Sequence, residues 1–226
     1  MHSPLSHKIQ KQQLWLSAER CIFWEEEKSL IISDLHFGKT GHFRKSGIAV
    51  PQSVYKEDLQ RFVMQIQYFQ PSKIIVVGDF FHSKANKELE LFQKWRESFS
   101  HISIHLVKGN HDILETTWYA QCNIMLSARE MSVSSFTFIH DISVSESLSQ
   151  NNSTCTSSNY FFSGHIHPAI RLSGAGKQSL CFPCFYFAKE YAVLPAFGGF
   201  TGVALIEPER DENVFAIVKN KLVQLQ

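Results

Sequence analysis

An α/β fold built from two mixed β-sheets packed face to face and flanked by helices, a four-layer sandwich, is the architecture this sequence predicts. Three observations carry that prediction. The first half alternates short apolar runs with segments of helical period, the second half consists mostly of strand-like runs, and the polar clusters begin where apolar runs stop. Short runs that are apolar throughout are the signature of strands buried on both faces.

Taken in order, residues 13–16 and 20–24 read as strands around a turn at 17–19, an opening hairpin. Residues 29–33 form a compact apolar run that stops at Asp34. Val54, Leu59, Phe62, Val63, Ile66 and Phe69 recur at helical spacing, and Pro71 ends that helix. A buried strand over 74–77 stops at Gly78-Asp79. Leu89, Phe92, Trp95 and Phe99 mark a second amphipathic helix, and the strand 102–107 stops at Gly109-Asn110. Each strand of this β-helix-β-helix-β unit delivers polar residues at its carboxyl end, the edge where open α/β sheets bind ligands. Beyond it, 131–139 reads as one strand delivering His140, and 160–163 delivers Gly164-His165-Ile166-His167. The segments around 180–187, 192–196, 203–206, 214–218 and 222–225 read as further strands, mostly antiparallel. Residues 143–158, rich in Ser, Asn and Thr, are expected to form a flexible surface loop.

At 226 residues with 44% apolar and 13% aromatic content, the chain can fill one sizeable core, so a single domain over 1–226 is expected. Lys and Arg total 22 against 21 for Asp and Glu. That balance lacks the basic signature of proteins held to nucleic acid mainly by phosphate attraction, and neither points to DNA nor forbids it. No apolar run approaches the roughly 20 residues that span a bilayer, and the polar start lacks the apolar region of a secretory signal. A soluble cytoplasmic protein without a membrane role is the expectation; an exposed strand edge leaves room for a homodimer. The cysteines are odd in number and scattered, unlike a disulfide framework. Cys181 and Cys184 form a CxxC with no second pair, within a run that reads as strand, and are taken as structural.

The chemistry lies in Asp34-Leu35-His36, Gly78-Asp79, Gly109-Asn110-His111-Asp112, His140 and Gly164-His165-Ile166-His167, each directly after an apolar run. On a strand, residues i and i+2 point the same way, so Asp34 with His36 and His165 with His167 are expected to converge. Carboxylate, imidazole and amide oxygen together suit divalent ions such as Mn, Fe or Zn. Any one of these histidines alone would be an ordinary surface or core residue; the set, at successive strand ends, is not. His2, His7, His101 and His105 have no partner in the pattern, whereas His82 is close enough to Asp79 to back the site or to stand apart from it.

The order D-x-H, G-D, G-N-H-D, H, G-H-x-H resembles the calcineurin-like metallophosphoesterase superfamily over residues 34–167. Position by position, the resemblance implies one metal ion held by Asp34, His36, Asp79 and His167, and a second held by Asp79, Asn110, His140 and His165. It makes His111 the histidine beside the reacting phosphate and Asp112 the carboxylate that orients it. Manganese is the first expectation for both ions, with iron or zinc as alternatives. Two such cations about 3.5–4 Å apart clamp phosphate oxygens and turn a shared water into an in-line nucleophile.

The stretches SDLHFGKTGHFRKSGIAVP (33–51), GDFFHS (78–83), PCFYF (183–187) and LPAFGGFTG (194–202) look like the ligase-associated DNA-damage-response endonuclease PdeM group. That likeness implies phosphodiester cleavage in DNA, in company with a DNA ligase and a helicase. Lys39, His42 and Arg44, on a loop just past the first ligands, are then the cations that grip substrate phosphate. LPAFGGFTG is read as structural, a bend toward the site. A small-molecule phosphatase or nucleotide phosphodiesterase would use the same metals in a narrower pocket and stays open as an alternative. The intact Asn110-His111-Asp112 argues against an inactive scaffold.

Overall fold

The structure is a computed structural model and describes residues 2–45, 47, 51–82, 87–143, 159–174 and 178–225. Strands β1 (Leu5–Ile9), β2 (Gln12–Ser17), β3 (Cys21–Trp24) and β4 (Ser29–Ile32) lead to helices α1 (Lys39–Lys45) and α2 (Gln52–Phe69). Then come β5 (Lys73–Val77), α3 (Lys87–Ser98), β6 (Ser103–Val107), α4 (Thr116–Gln121), β7 (Ile124–Ser127), β8 (Glu130–Val133), β9 (Phe136–Ile139) and β10 (Tyr160–Ser163). The chain finishes with β11 (Pro168–Ser173), β12 (Ser179–Phe187), β13 (Tyr191–Val193), β14 (Ala204–Leu205), β15 (Asn213–Val218) and β16 (Lys221–Gln224).

The first sheet runs β1-β2-β3-β4-β5-β6-β7, antiparallel up to β4 and parallel from there on. The second runs β14-β11-β12-β13-β10-β9-β8, with β15 on β12 and β16 on β15. It is mixed: β9, β10 and β13 pair in parallel, as do β11 and β14, and the rest are antiparallel. The expected α/β class, with two mixed sheets and helices, is what the chain forms.

The alternation of side chains along a strand explains how the layers stack. On β4 and β5, Leu30, Ile32, Ile74 and Val76 turn to one face, where they meet Phe62 and Ile66 of α2, Leu89 and Phe92 of α3 and Tyr119 of α4. Ile31, Ile75 and Val77 turn to the other, where they meet Phe136, Phe138, Phe162, Phe185 and Phe215 of the second sheet. Both faces are buried, which is why these strands are apolar at every position. The shared middle sheet leaves its parallel strand ends, and those of β9 and β10, at one edge.

Several elements differ from the expectation. β1 lies in a segment that looked merely polar. The run 131–139 is two antiparallel strands, β8 and β9, because Ser134 takes a left-handed turn at φ 49°. Residues 39–45, expected as a loop, are α1. The Ser-rich stretch lies, beyond Ser143, outside the described residues. Cys181 and Cys184 both sit on β12, one exposed and one buried, so they face opposite sides of the strand and do not converge on a shared ion.

Candidate metal centre

Asp34 and His36 follow the end of β4, Asp79 follows β5, His140 follows β9, and His165 and His167 follow β10. The convergence expected from strand alternation is achieved differently. Asp34 (φ 53°), His36 (φ 54°), Asp79 (φ 50°), His165 (φ 69°) and His167 (φ 53°) all lie in the left-handed region, beyond the strands. Asp and His tolerate that region better than most residues, but it still costs energy and occurs where surrounding structure enforces it. Here the enforcement is a ladder of backbone bonds: Asp34 N–H donates to Gly78 O, His36 N–H to Asp79 O and Gly164 N–H to His140 O. Close approach also demands glycine. A Cβ on Gly109 would collide with the Asp79 carboxylate, and one on Gly164 with Ser33 and the Asp34 carboxylate.

The side chains fall into two groups, Asp34 with His36 and His167, and Asp79 with His140 and His165; within each group the donor atoms lie within 4.8 Å of one another. Asp79 links them, its Oδ2 lying 3.9 Å from His36 Nε2 and 3.5 Å from His140 Nε2. His140 Nε2 also faces Asn110 Oδ1 at 3.1 Å and His165 Nδ1 at 3.2 Å.

These residues fit divalent cations on three physical grounds. His36 Nε2 is buried without a hydrogen-bond partner, a costly condition unless something else satisfies it, and the buried Asp34 Oδ1 faces His167 Nε2 at 3.3 Å. His140 Nδ1 lies 3.2 Å from Val77 O and His167 Nδ1 3.1 Å from Gly202 O. A ring N–H donating to each carbonyl leaves the Nε2 lone pair pointing inward, the tautomer a metal requires. Lone pairs of His140 and Asn110 then face one another, an arrangement a cation relieves.

The electrostatics agree. Burial, with Lys39 nearby, pushes His36 down to about 2, so the ring is neutral and able to coordinate. Burial works against ionisation of Asp34, but His167, His140 and the Ser33 hydroxyl prevail and hold its carboxyl below the ordinary range. Burial raises the carboxyl of Asp79, partly offset by His140 and the His111 amide.

The remaining site residues divide. His111 is half-buried, its N–H donating to Asp79 Oδ1 at 2.8 Å and its ring 5.3 Å from that of His36. Asp112 is buried, and its carboxylate accepts from the Phe81 N–H at 2.9 Å and the Gly109 N–H at 3.0 Å. It thereby clamps the backbone on either side of the site, and burial lifts its pKa to about 7. Lys39 lines a cleft with His36, feels Asp34 and Asp79, and has its own pKa lowered by burial. The side chains of His42 and Arg44 lie outside the described residues.

Sequence reasoning left His82 undecided and passed over two groups. His82 Nδ1 lies 3.3 Å from His36 Nδ1, and its ring is 4.3 Å from His111. Asp141 Oδ2 lies 3.9 Å from His165 Nε2; its adjacency to His140 was the available signal. The 196–202 loop, read as structural, bonds through the Phe197 and Gly198 amides to Ser33 O and Asp34 O.

A fold of two packed sheets with an Asp-His-Asn cluster at the parallel strand ends defines a metallophosphoesterase, and the chain belongs to the calcineurin-like phosphoesterase superfamily. The family model for that superfamily's domain matches residues 28–180. The chain is accordingly a metal-dependent phosphoester hydrolase. Among solved structures it is similar to the Pseudomonas putida nuclease MPE, at 24% identity and a TM-score of 0.78, over 98% of this chain and all of that one. Comparison with curated proteins gives no match. Among the described residues, no helix is long and apolar enough to cross a membrane.

Proposed function

We propose that this chain is a binuclear-metal-dependent phosphodiesterase that cuts DNA in damage response. One ion is assigned to Asp34, His36, Asp79 and His167, the other to Asp79, Asn110, His140 and His165, with manganese favoured over iron or zinc. The observation that carries the binuclear reading is Asp79, whose Oδ2 is shared between the two groups at 3.9 and 3.5 Å. The mixed oxygen and imidazole donor set suits these metals better than magnesium, which prefers oxygen alone. When bound, the ions supply Lewis acidity toward phosphate oxygens and lower the pKa of water toward neutrality.

The chain's own residues do the rest. His111, fixed by its amide bond to Asp79, stabilises charge on the leaving oxygen or delivers a proton to it, a contribution on the order of 10²–10⁴-fold. Asp112 keeps the Gly109 turn and Phe81 in register. Lys39 holds a phosphate oxygen, and His42 and Arg44 are the cations assigned to flanking phosphates. The DNA assignment and the partnership with a ligase and helicase rest on the PdeM-like stretches, of which those at 183–187 and 194–202 supply no metal ligand; the single-domain organisation rests on the length and apolar content of the chain.

The test is hydrolysis after chelation. Activity is expected to vanish in EDTA and to return with Mn²⁺ more fully than with Mg²⁺. A small diester is expected to be cut faster than a monoester, and plasmid DNA to be nicked. Fast monoester hydrolysis with intact plasmid would transfer the assignment to a small-molecule phosphatase.

A further inference from the structure

We infer that Phe200, backed by Phe43, is a stacking shelf for a nucleobase next to the phosphodiester being cut. The inference rests on the nuclease reading above and assigns a base contact that the metal motifs do not contain. A lone exposed phenylalanine is ordinary. Phe200 is set apart by where it is held and by what continues from it.

The ring is 41% exposed, although Phe197 in the same loop is fully buried beneath the Arg61 guanidinium. The loop is anchored on both sides of it. Gly198 N–H donates to Asp34 O at 3.1 Å, and Gly199 N–H to the Asp58 carboxylate at 3.0 Å. On the other side, Gly202 O takes the His167 ring at 3.1 Å. An exposed aromatic tied at both ends to candidate ligands is pre-positioned, so a base stacking on it orders little else.

From Phe200 a row of rings runs to the reacting centre. Phe43 meets Phe200 edge-on at 5.6 Å and lies nearly parallel to His82 at 6.5 Å, and His82 is 4.3 Å from His111. Phe200 also lines the cleft that contains Lys39 and His36. A cation for phosphate and a partly exposed aromatic ring for a base, lining one cleft, match a nucleotide unit; inorganic phosphate or a small monoester uses only the first.

The experiment compares, with Mn²⁺-loaded protein, a short oligonucleotide with its counterpart lacking the base beside the cut phosphate. Wild type is expected to favour the base-bearing strand in kcat/KM by roughly 5- to 150-fold, the range for one stacked base. Phe200→Ala should collapse that preference toward unity, chiefly through KM, and Phe200→Trp should restore it. Because Phe200 is exposed, the alanine variant is expected to fold, checked by its melting temperature. Wild-type preference retained in Phe200→Ala overturns the shelf while leaving the nuclease reading intact. Hydrolysis of methyl p-nitrophenyl phosphate without cleavage of either oligonucleotide overturns both.

Discussion

The two candidate metal groups use the same residue types in unlike surroundings. In one, Asp34 is wholly buried, His36 is 6% exposed with its Nε2 unpartnered, and His167, 3.3 Å from Asp34 Oδ1, is partly exposed. In the other, the His165 side chain is 39% exposed and Asn110 lies at the surface, while Asp79 and His140 remain buried. A desolvated, pre-aligned donor set stabilises a cation more than a solvated one, because fewer water contacts compete and less ordering is needed on binding. Of the two ions proposed, the one in the buried group is thus expected to be held more tightly.

Four measurements sharpen or break that contrast. The largest effect belongs to the shared ligand: Asp79→Ala should lower bound manganese below two equivalents by elemental analysis and cut turnover on the order of 10³-fold or more. Two equivalents retained would mean that Asp79 does not bridge. Next, His111→Ala should keep both equivalents and lose on the order of 10²–10⁴ in kcat. Normal turnover across several substrates would remove it from the reaction. Third, a manganese titration should show two separate steps, and His165→Ala should weaken only the looser one; coincident steps in wild type would erase the distinction between the groups.

The smallest effect concerns a half-buried histidine outside both groups. His7 packs on Phe187 at 4.4 Å and Phe215 at 5.1 Å, and burial lowers its pKa below 6.5. Its folded pKa lies below the unfolded one, so stability is full above pH 6.5 and falls as the unfolded chain takes up the proton at lower pH. His7→Leu should flatten that decline in denaturant melts between pH 7 and 5. An unchanged slope would mean that His7 contributes nothing to the acid sensitivity.

The legibility of the chain follows the same physics. β4, β5 and β6 could be read because strands buried on both faces must be apolar throughout, and the residue following each apolar run was accessible to inspection. β1 was hidden because Leu5, His7 and Ile9 alternate with polar residues on an edge strand. The β8–β9 turn was hidden because Ser134-Ser135 carries none of the usual glycine or asparagine signals. The candidate ligands were found by residue type and order, but how they converge was not: strand alternation was expected, and left-handed turns are what the chain uses. Contacts such as His82 with His36 join residues 46 positions apart, and no local pattern encodes them.

Those left-handed turns set fold and chemistry against each other at the same positions. At Asp34, His36, Asp79, His165 and His167, glycine would relieve a backbone cost of about 1–3 kcal/mol each and would remove the donor atom outright. Valine or isoleucine would fail on both counts. In a saturation library selected only for folding without metal, glycine should therefore be enriched at His36, His165 and His167, whereas the Asp34 and Asp79 carboxylates also accept the His165 and His111 amides; in a library selected for cleavage it should disappear from all five. The histidines proposed as ligands are those the bare fold would discard first.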